Sequence, residues 1–402
     1  MSKMSRRSLL LSSAGGALAA AFPRWAGAES AATTADGRVL VVVFLRGGVD
    51  GLSLVVPHAD PAYHAARRSI AIARPGKPGG AIDLDGQFGL HPRLAPLEAA
   101  YKAKELALVH AVGSPHATRS HFEAQDYAET ATPGVHSTRT GWLARSLAGK
   151  PRTPLGVVAL AAKRPLALRG EVDVVTAKRL DQFALRAPRR VATRLETAFD
   201  ALYASGDDAV VRAGRDALGA AKQLARIERT TNAADYPEGA RPLAEVAALV
   251  RADVGLRAAW IDVGGWDTHQ GQGGADSGRL PRLLDGMGKG LAAFRKDLGA
   301  RFGEVVVLVM SEFGRTVAEN GTGGTDHGHG SAMLLLGGRV RGGKVYGKWP
   351  GLGSEARYEG RDLAVTTDYR EVLAELAVKH VGARDASRVA PGFAPRGIDI
   401  LA

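Results

Sequence analysis

The stretch VLVVVFLRGGVDG, residues 39–51, decides the predicted fold. Its first seven residues are apolar on successive positions, whereas a strand with one solvated face alternates apolar and polar residues. A strand that is covered on both faces is typical of a parallel sheet with helices above and below it. The glycines that follow allow a sharp turn, which brings Asp50 close to a ligand beyond the strand or leaves it as a capping residue.

Four further apolar runs predict strands of the same kind, and helical patterns lie between them. The predicted strands are Leu106–Val112, Ala258–Val263, Val305–Met310 and Ala332–Leu336. The predicted helices are Arg93–Lys104, His121–Thr130, Leu280–Leu298 and Tyr369–Val381. We interpret all five runs as strands of a parallel sheet. The alternation predicts an α/β fold over residues 38–402, a three-layer sandwich with a mostly parallel central sheet.

Residues 179–234 differ from the rest because they are rich in Arg and Ala and poor in β-branched runs. They predict two or three amphipathic helices, with Pro188 separating the first from the others. These helices either belong to the main sandwich or form a helical insertion that acts as a lid. We favour the insertion.

The N-terminus has the organisation of an export signal. Lys3, Arg6 and Arg7 precede an apolar run, Leu9 to Phe22, that is too short to span a bilayer comfortably. The small residues Ala26-Gly27-Ala28 predict cleavage before Glu29, so that residues 1–28 are a signal peptide. The pair Arg6-Arg7 resembles the twin-arginine signal, which predicts the twin-arginine translocase as a partner and a periplasmic or secreted protein. An ordinary secretory leader is the alternative.

Composition narrows the class of protein. The chain has no cysteine, so no disulfide stabilises it outside the cytoplasm. Its net charge is +12, and removing the four basic residues of the signal (12 − 4) leaves +8. The positive balance favours an acidic partner such as an anionic small molecule or glycan. Because the basic residues are scattered without interleaved aromatics, we interpret them as a solvated surface and not as a nucleic-acid site. No later run reaches transmembrane length, and RGGVDGL lacks the G-x-G-x-x-G spacing of a dinucleotide site.

Titratable residues crowd the turn after the second predicted strand. His116, Arg119, His121 and Asp126 lie in this turn and the start of the helix predicted after it, with Ser120 directly before that helix. The Ser120 hydroxyl is either the N-cap of that helix or a nucleophile or ligand held at its N-terminus, where negative charge is stabilised. Four such groups are more than a cap needs.

The third and fourth strands also run directly into polar residues. GGWDTH places Asp267 and His269 two residues apart, so that both can face one cation. SEFGRT places Glu312 at the rim of the core, where a carboxylate is costly unless it is paired or bound to a cation. An ion pair between Glu312 and Arg315 is the alternative.

The segment GGTDHGHG, residues 323–330, is the most specific stretch in the chain. Asp326, His327 and His329 lie among four glycines, directly before the fifth predicted strand. Such a loop is not a packed core element, and a merely solvated loop has no need of two imidazoles. It predicts metal or substrate binding.

Taken together, RGGVDGL, RSHFEAQDY, GGWDTH, SEFGRT and GTDHGHG resemble the twin-arginine-exported family known as domain of unknown function 1501. The resemblance covers essentially the whole mature chain and places it within the alkaline phosphatase/sulfatase superfamily. It implies an alkaline-phosphatase-like fold. It also implies a ligand set with Asp50, a nucleophile at Ser120, Asp267 with His269, and Glu312 where the superfamily has the Asp of an Asp-His pair, followed by His327 or His329.

Two departures from the superfamily pattern stand out. Phe313 occupies the position of the pair's histidine, and the spacing of Asp267 and His269 is tighter than usual. One of two metal positions is therefore altered or lost, unless Asp326-His327 is itself the Asp-His pair, displaced into the glycine loop.

These observations predict a metal-dependent hydrolase or transferase that acts on a phosphate or sulfate ester. The expected metal is a divalent Zn, Mn, Mg, Ca or Fe ion, bound by some of Asp50, Asp267, His269, Glu312, Asp326, His327 and His329. Ser120 attacks or ligates the metal, and His116 or His121 protonates the leaving group. The expected holders of the anionic oxygens are Arg46, Arg119 and Arg315. The alternative, favoured by Phe313 and the basic charge, is a non-catalytic envelope protein that binds an anionic glycan, a lipid or a partner protein.

Overall fold

In the computed structural model, which describes residues 37–180, 183, 189–206, 208–227 and 235–402, nine strands form one central sheet. Together with three strands of a smaller sheet, the described strands are β1 Val39–Leu45, β2 Val55–Val56, β3 Ile82–Asp83, β4 Gly89–Leu90, β5 Leu106–Gly113, β6 Val157–Leu160, β7 Val175–Ala177, β8 Ala258–Val263, β9 Val305–Met310, β10 Ser331–Gly337, β11 Lys344–Tyr346 and β12 Thr367–Asp368. Their order across the central sheet is β11-β5-β10-β9-β1-β8-β6-β7, with β12 also paired to β5, while β2, β4 and β3 form a small second sheet. All five predicted strands are present.

The helices lie largely where the sequence predicts them. The α-helices are α1 Gly51–Leu54, α2 Pro61–Ala66, α3 Glu98–Lys102, α4 His121–Thr130, α5 Trp142–Ser146, α6 Arg189–Tyr203, α7 Ala209–Arg226, α8 Arg241–Arg251, α9 Arg279–Leu298, α10 Tyr369–Glu375 and α11 Ala386–Val389. Short 3₁₀ helices span Pro92–Leu97, Leu166–Leu168, Glu238–Ala240, Gly299–Glu304 and Ser354–Ala356, and a π-helical segment spans Leu376–Val381. The predicted helix 93–104 is split in two, because Pro96 lies inside its 3₁₀ first half and cannot donate a backbone hydrogen bond.

Strand β10 corrects one prediction, because it is not part of a parallel ladder. It runs antiparallel to both of its neighbours, β5 and β9, whereas β1 is parallel to β8 and β9. An apolar run shows that a strand is buried but not which way it runs. Since the chain reverses between β9 and β10, the loop before β10 lies at the edge where the parallel strands end.

Both faces of the central sheet are covered, as the successive apolar positions predict. Val41 and Val43 of β1 pack into a core shared with α8 and α9, and Leu40 and Val42 pack into a second core shared with α5 and α10. The architecture is the predicted three-layer α/β sandwich with a mostly parallel sheet.

The Arg- and Ala-rich region contains two described helices, α6 and α7, which pack on each other. Phe199 and Tyr203 of α6 form a small core with Val211 and Leu218 of α7, and α7 also contributes Leu224 to the main core. Pro188 and the signal peptide, residues 1–28, lie outside the described residues. Within the described residues, no helix combines the length and the apolar character that crossing a membrane requires.

Candidate metal centre

Four loops and the start of α4 meet at the edge where the parallel strands end. Gly47, after β1, donates its amide hydrogen to Glu312, after β9, over 2.9 Å. Arg315, in the loop after β9, donates to Asp267, which follows β8. His121 of α4 contacts Glu312 over 2.8 Å. Ligands of open α/β sheets bind at this edge.

Three imidazole rings converge on one carboxylate there. The Nε2 atoms of His269 and His327 lie 3.0 and 3.4 Å from Oδ1 of Asp267, and Nε2 of His121 lies 3.6 Å from its Oδ2. His269 and His327 bring their Nε2 atoms to 2.9 Å from each other. One ligand atom each from His121, Asp267 and His327 lies within 4.8 Å of the others, a grouping that can hold a metal ion.

The outer nitrogen of each ring contacts an oxygen acceptor. Nδ1 of His121 lies 2.8 Å from Oε1 of Glu312, and Nδ1 of His269 lies 2.9 Å from Oδ1 of Asp326. Nδ1 of His327 lies 2.9 Å from the carbonyl oxygen of Arg119. A carboxylate or a carbonyl only accepts, so each Nδ1 donates, and each neutral ring keeps a lone pair on Nε2. Ligating histidines are held in this way in metal sites.

The inner nitrogens fit a cation. Nε2 of His121 is buried and has no hydrogen-bond partner among the described residues. Leaving such an atom without a partner costs about 1–3 kcal/mol. Lone pairs and a carboxylate that face one another at these distances repel unless a proton or a cation lies between them. Imidazole-rich sets suit Zn or Fe better than Mg, Ca or Mn, which prefer oxygen ligands.

Both site carboxylates are held ionised. Burial raises the pKa of Glu312, but hydrogen bonds from His121, Gln125 and Ser311 outweigh burial and keep that pKa below its usual value. For Asp267, burial likewise raises the pKa, and the Arg315 guanidinium more than reverses the effect. Both carboxylates are therefore negatively charged at neutral pH, which favours a cation, and Arg315 offsets part of that charge.

Asp50 does not lie in this cluster. It is fully buried and accepts hydrogen bonds from Arg67 over 2.6 and 2.9 Å, from Ser53 over 2.8 Å and from Gln272 over 2.6 Å. Its oxygens are thus taken by protein donors. Arg67 is 17 residues away along the chain and belongs to no motif, so no pattern in the sequence indicates this pairing.

The three arginines expected to hold anionic oxygens are engaged by protein groups. Arg46 bonds to Glu129 over 2.6 Å and to Asp262 over 2.9 Å. Arg119 is paired with Glu359 over 2.6 Å and Asp362 over 2.7 Å. The buried Arg315 donates to the carbonyl oxygens of Gly47, Gly48, Trp266 and Thr325 and to Asp267.

The remaining predicted residues take different positions. Ser120 stands at the N-cap of α4, but its side chain makes no capping hydrogen bond. His329 is buried and stacks on Tyr358, with 4.6 Å between ring centroids. His116 is exposed and meets Tyr127 edge-on at 5.1 Å.

Phe313 forms one wall of the site. Its ring centroid lies 4.8 Å from that of His121 and 5.0 Å from that of His327. A carbon ring, which offers no metal ligand, therefore lies against two of the site histidines. Gly48 makes room for it, because a Cβ there would lie 2.5 Å from Cε2 of Phe313.

Sequence reasoning missed Gln125. This side chain donates to Glu312 over 2.9 Å and accepts from Arg46 over 3.0 Å, so it joins the two loops. It lies four residues after His121, on the same face of α4. The spacing of four residues from His121 is the sequence signal that would have indicated Gln125.

A family model described as "Protein of unknown function (DUF1501)" matches residues 38–381, which confirms the predicted family. No curated protein matches the chain.

Among solved structures, Ps i-CgsB in complex with k-i-k-neocarrahexaose is 8% identical with a TM-score of 0.40, covering 88% of this chain and 74% of that one. The lipoteichoic acid synthase of Listeria monocytogenes is 9% identical with a TM-score of 0.32, covering 80% and 70%. A TAB5 alkaline phosphatase mutant with Mg bound in its M3 site is 14% identical with a TM-score of 0.28, covering 75% and 90%. At these identities the likeness concerns the fold alone.

Proposed function

The chain belongs to the DUF1501 family, and we propose that it is a metal-dependent enzyme that hydrolyses or transfers a phosphate or sulfate ester. One observation carries the proposal. Three histidines turn their Nε2 atoms to Asp267 while an acceptor fixes each Nδ1. A set of neutral imidazoles oriented by outer acceptors is the arrangement that metal sites use.

We assign the ligands to His121, Asp267 and His327, whose facing atoms lie within 4.8 Å of one another. Two imidazoles and one carboxylate form a set that suits zinc and leaves a coordination position for water or substrate. A bound zinc ion supplies a Lewis acid and lowers the pKa of a bound water. Within the described residues there is one such cluster, and this, with the carbon ring of Phe313, favours one cation rather than two.

We assign His269 to proton transfer. Its Nδ1 is held by Asp326 over 2.9 Å, and its Nε2 faces the centre of the site. A carboxylate that orients an imidazole is the usual arrangement of a general acid or base. His269 would take up a proton on the lone pair of Nε2 and then give it to the leaving oxygen, a role that the sequence suggested for His116 or His121.

Ser120 is the proposed nucleophile. It directly precedes His121, its hydroxyl is not used for capping, and it stands at the N-terminus of a ten-residue helix. Backbone N–H groups and the helix dipole favour an anionic ester at such a position. Arg46, Arg119 and Arg315 position the loops in this scheme, since protein acceptors occupy their guanidinium groups.

The test combines metal analysis with turnover. We expect one zinc-type ion per chain in the purified protein, and hydrolysis of 4-nitrophenyl phosphate or 4-nitrophenyl sulfate. His327→Ala should lose the metal, whereas His269→Ala should keep it and lose turnover. His64→Ala, outside the site, is the control. A folded protein that binds no divalent ion under any loading condition would overturn the proposal.

The alternative is a non-catalytic envelope protein that binds an anionic glycan, a lipid or a partner. The engagement of all three arginines by protein acceptors favours it, because it leaves fewer of their N–H groups for a substrate anion. Ser120→Ala separates the two functions. Loss of turnover with retained metal supports the enzyme, and no effect on any activity supports the binder.

We also propose that the twin-arginine translocase exports the folded chain to the periplasm or beyond. The motif SRRSLL and the short apolar run after it support this route. Replacing Arg6 and Arg7 by lysine should retain the precursor in the cytoplasm, measured by fractionation. Unchanged export would favour an ordinary secretory leader.

A further inference from the structure

A cavity of about 310 Å³ lies on one face of the central sheet, under helices α8 and α9. Most of its lining is apolar: Leu45 and Val263 come from the strands, Trp266 from the loop after β8, and Leu243, Leu283 and Met287 from the helices. This volume lies at the lower end of the range for small-molecule sites, about 300–1,000 Å³, which are likewise mostly apolar. The metal centre does not use this space.

The cavity reaches the same edge of the sheet as the metal centre. Leu45 and Val263 are the last residues of β1 and β8, and Trp266 directly precedes Asp267. Gly265, whose φ is +102°, lies against α9, since a Cβ there would be in ordinary contact with the Arg279 guanidinium at 3.4 Å and with Leu283 at 3.9 Å. One end of the cavity is thus beside the loop that carries Asp267.

The residues at this end are positively charged. Arg282 lines the cavity and is exposed, and Arg279 is exposed one helical turn earlier. Neither has an ion pair among the described residues. Asp285, the acidic residue of the lining, is already bonded to Lys289 over 2.7 Å. The charge at the cavity is therefore suited to an anion.

We propose that this cavity binds the hydrocarbon chain of an anionic amphiphile, whose charged head stays with Arg282. A buried chain gains from every methylene group removed from water. An exposed cation at the mouth selects an anionic head over a neutral or cationic one. The proposal is independent of turnover at the metal centre, because it concerns other side chains.

Calorimetric titration of the purified full chain with dodecanoate tests it. We expect one site per chain, a negative heat-capacity change from apolar burial, and at least tenfold weaker binding of dodecyltrimethylammonium. His327→Ala, which removes a metal ligand, should bind dodecanoate as the unmodified chain does. No binding, or equal affinity for the cationic amphiphile, would overturn the proposal.

Two variants locate the site. Gly286→Leu fills the cavity: Gly286 lines it on α9, and a Cβ there has no atom within 4 Å, so the helix has room for the substitution. It should weaken dodecanoate binding at least tenfold. Gly219→Leu, equally unobstructed on α7, is the control and should have no effect. Unchanged binding by Gly286→Leu would show that the ligand lies elsewhere.

The Arg282→Glu variant tests whether the charged head group lies at the mouth of the cavity. It should weaken dodecanoate binding several-fold and reduce the preference over dodecyltrimethylammonium. Lys296→Glu makes the same change of charge further along α9 and should leave both affinities unchanged. Equal effects of the two variants would mean that only net charge matters, which contradicts a head group held at Arg282.

Discussion

The most informative residues of the site are those that touch the histidines from outside. Glu312 holds His121 and also accepts the Gly47 amide hydrogen. Glu312→Gln removes the negative charge and can present an amide hydrogen to His121 Nδ1. We expect metal affinity to fall by roughly 10–100-fold, as for other outer partners of ligating histidines. Competition with a chelating dye measures it, and the exposed Glu355→Gln is the control.

The backbone at Gly47 determines whether the Asp267 loop can keep its position. Its φ is +122°, and a Cβ there would lie 2.5 Å from the backbone nitrogen of Asp267. Gly47→Ala should therefore displace the Asp267 loop, and we expect lower metal occupancy together with a loss of about 1–3 kcal/mol of stability. Gly303→Ala, where a Cβ meets nothing within 4 Å, should be neutral in both measurements. A fully occupied, fully stable Gly47→Ala would disprove this account of the turn.

At this scale the sequence indicates the residues of the candidate site better than the partners that hold them. Asp267, His269 and His327 stand out because polar residues follow apolar strands, a local pattern. Glu312 and His121 meet across 191 residues, and Asp50 meets Gln272 across 222. Such contacts arise from the packing of distant loops, which no local spacing encodes.

Helix α4 gives the prediction at the scale of an element. Because the Ser120 hydroxyl makes no capping bond, Ser120→Ala should change the free energy of unfolding by less than about 0.5 kcal/mol. In α7, Asp208 caps the amide groups of Val210 and Val211 over 3.0 and 2.9 Å, and Asp208→Ala should cost about 1 kcal/mol. Urea denaturation of both variants decides whether Ser120 is free for chemistry. A comparable cost for Ser120→Ala would assign it a structural role.

The long elements were predictable and the short ones were not. Apolar runs of six or seven residues marked β1, β8 and β9 with their observed bounds. Strands β6 and β7 have only four and three residues, too few for a periodicity to show. The direction of β10 depends on the path of the chain between strands, which strand composition does not report.

For the whole molecule, three buried histidines make the free energy of unfolding depend on pH. Burial lowers the pKa of His91, His110 and His380 to about 4 in the fold. The unfolded chain, with a histidine pKa near 6.5, binds more protons below that pH. Stability is therefore fully present above about pH 6.5 and is lost progressively as the pH falls towards about 4.

Between pH 7 and pH 5 this loss should be on the order of 2 kcal/mol per histidine. Urea denaturation at the two pH values measures it. His380→Gln keeps a donor for the Val39 carbonyl oxygen, which Nε2 of His380 contacts over 2.9 Å, and should reduce the difference. His64→Gln, a less buried histidine, is the comparison. An unfolding free energy that is equal at both pH values would contradict the prediction.

Arg315 connects the loops of the site in a chain that contains no cysteine. Its buried guanidinium joins the segments around Gly47, Asp267 and Thr325, so it is a non-covalent crosslink among three loops. Disulfides have this role in many exported proteins, but this crosslink needs no oxidant and forms as the chain folds. Removing the proposed metal with a chelator should thus leave the near-ultraviolet circular dichroism unchanged, since Arg315 already connects the loops.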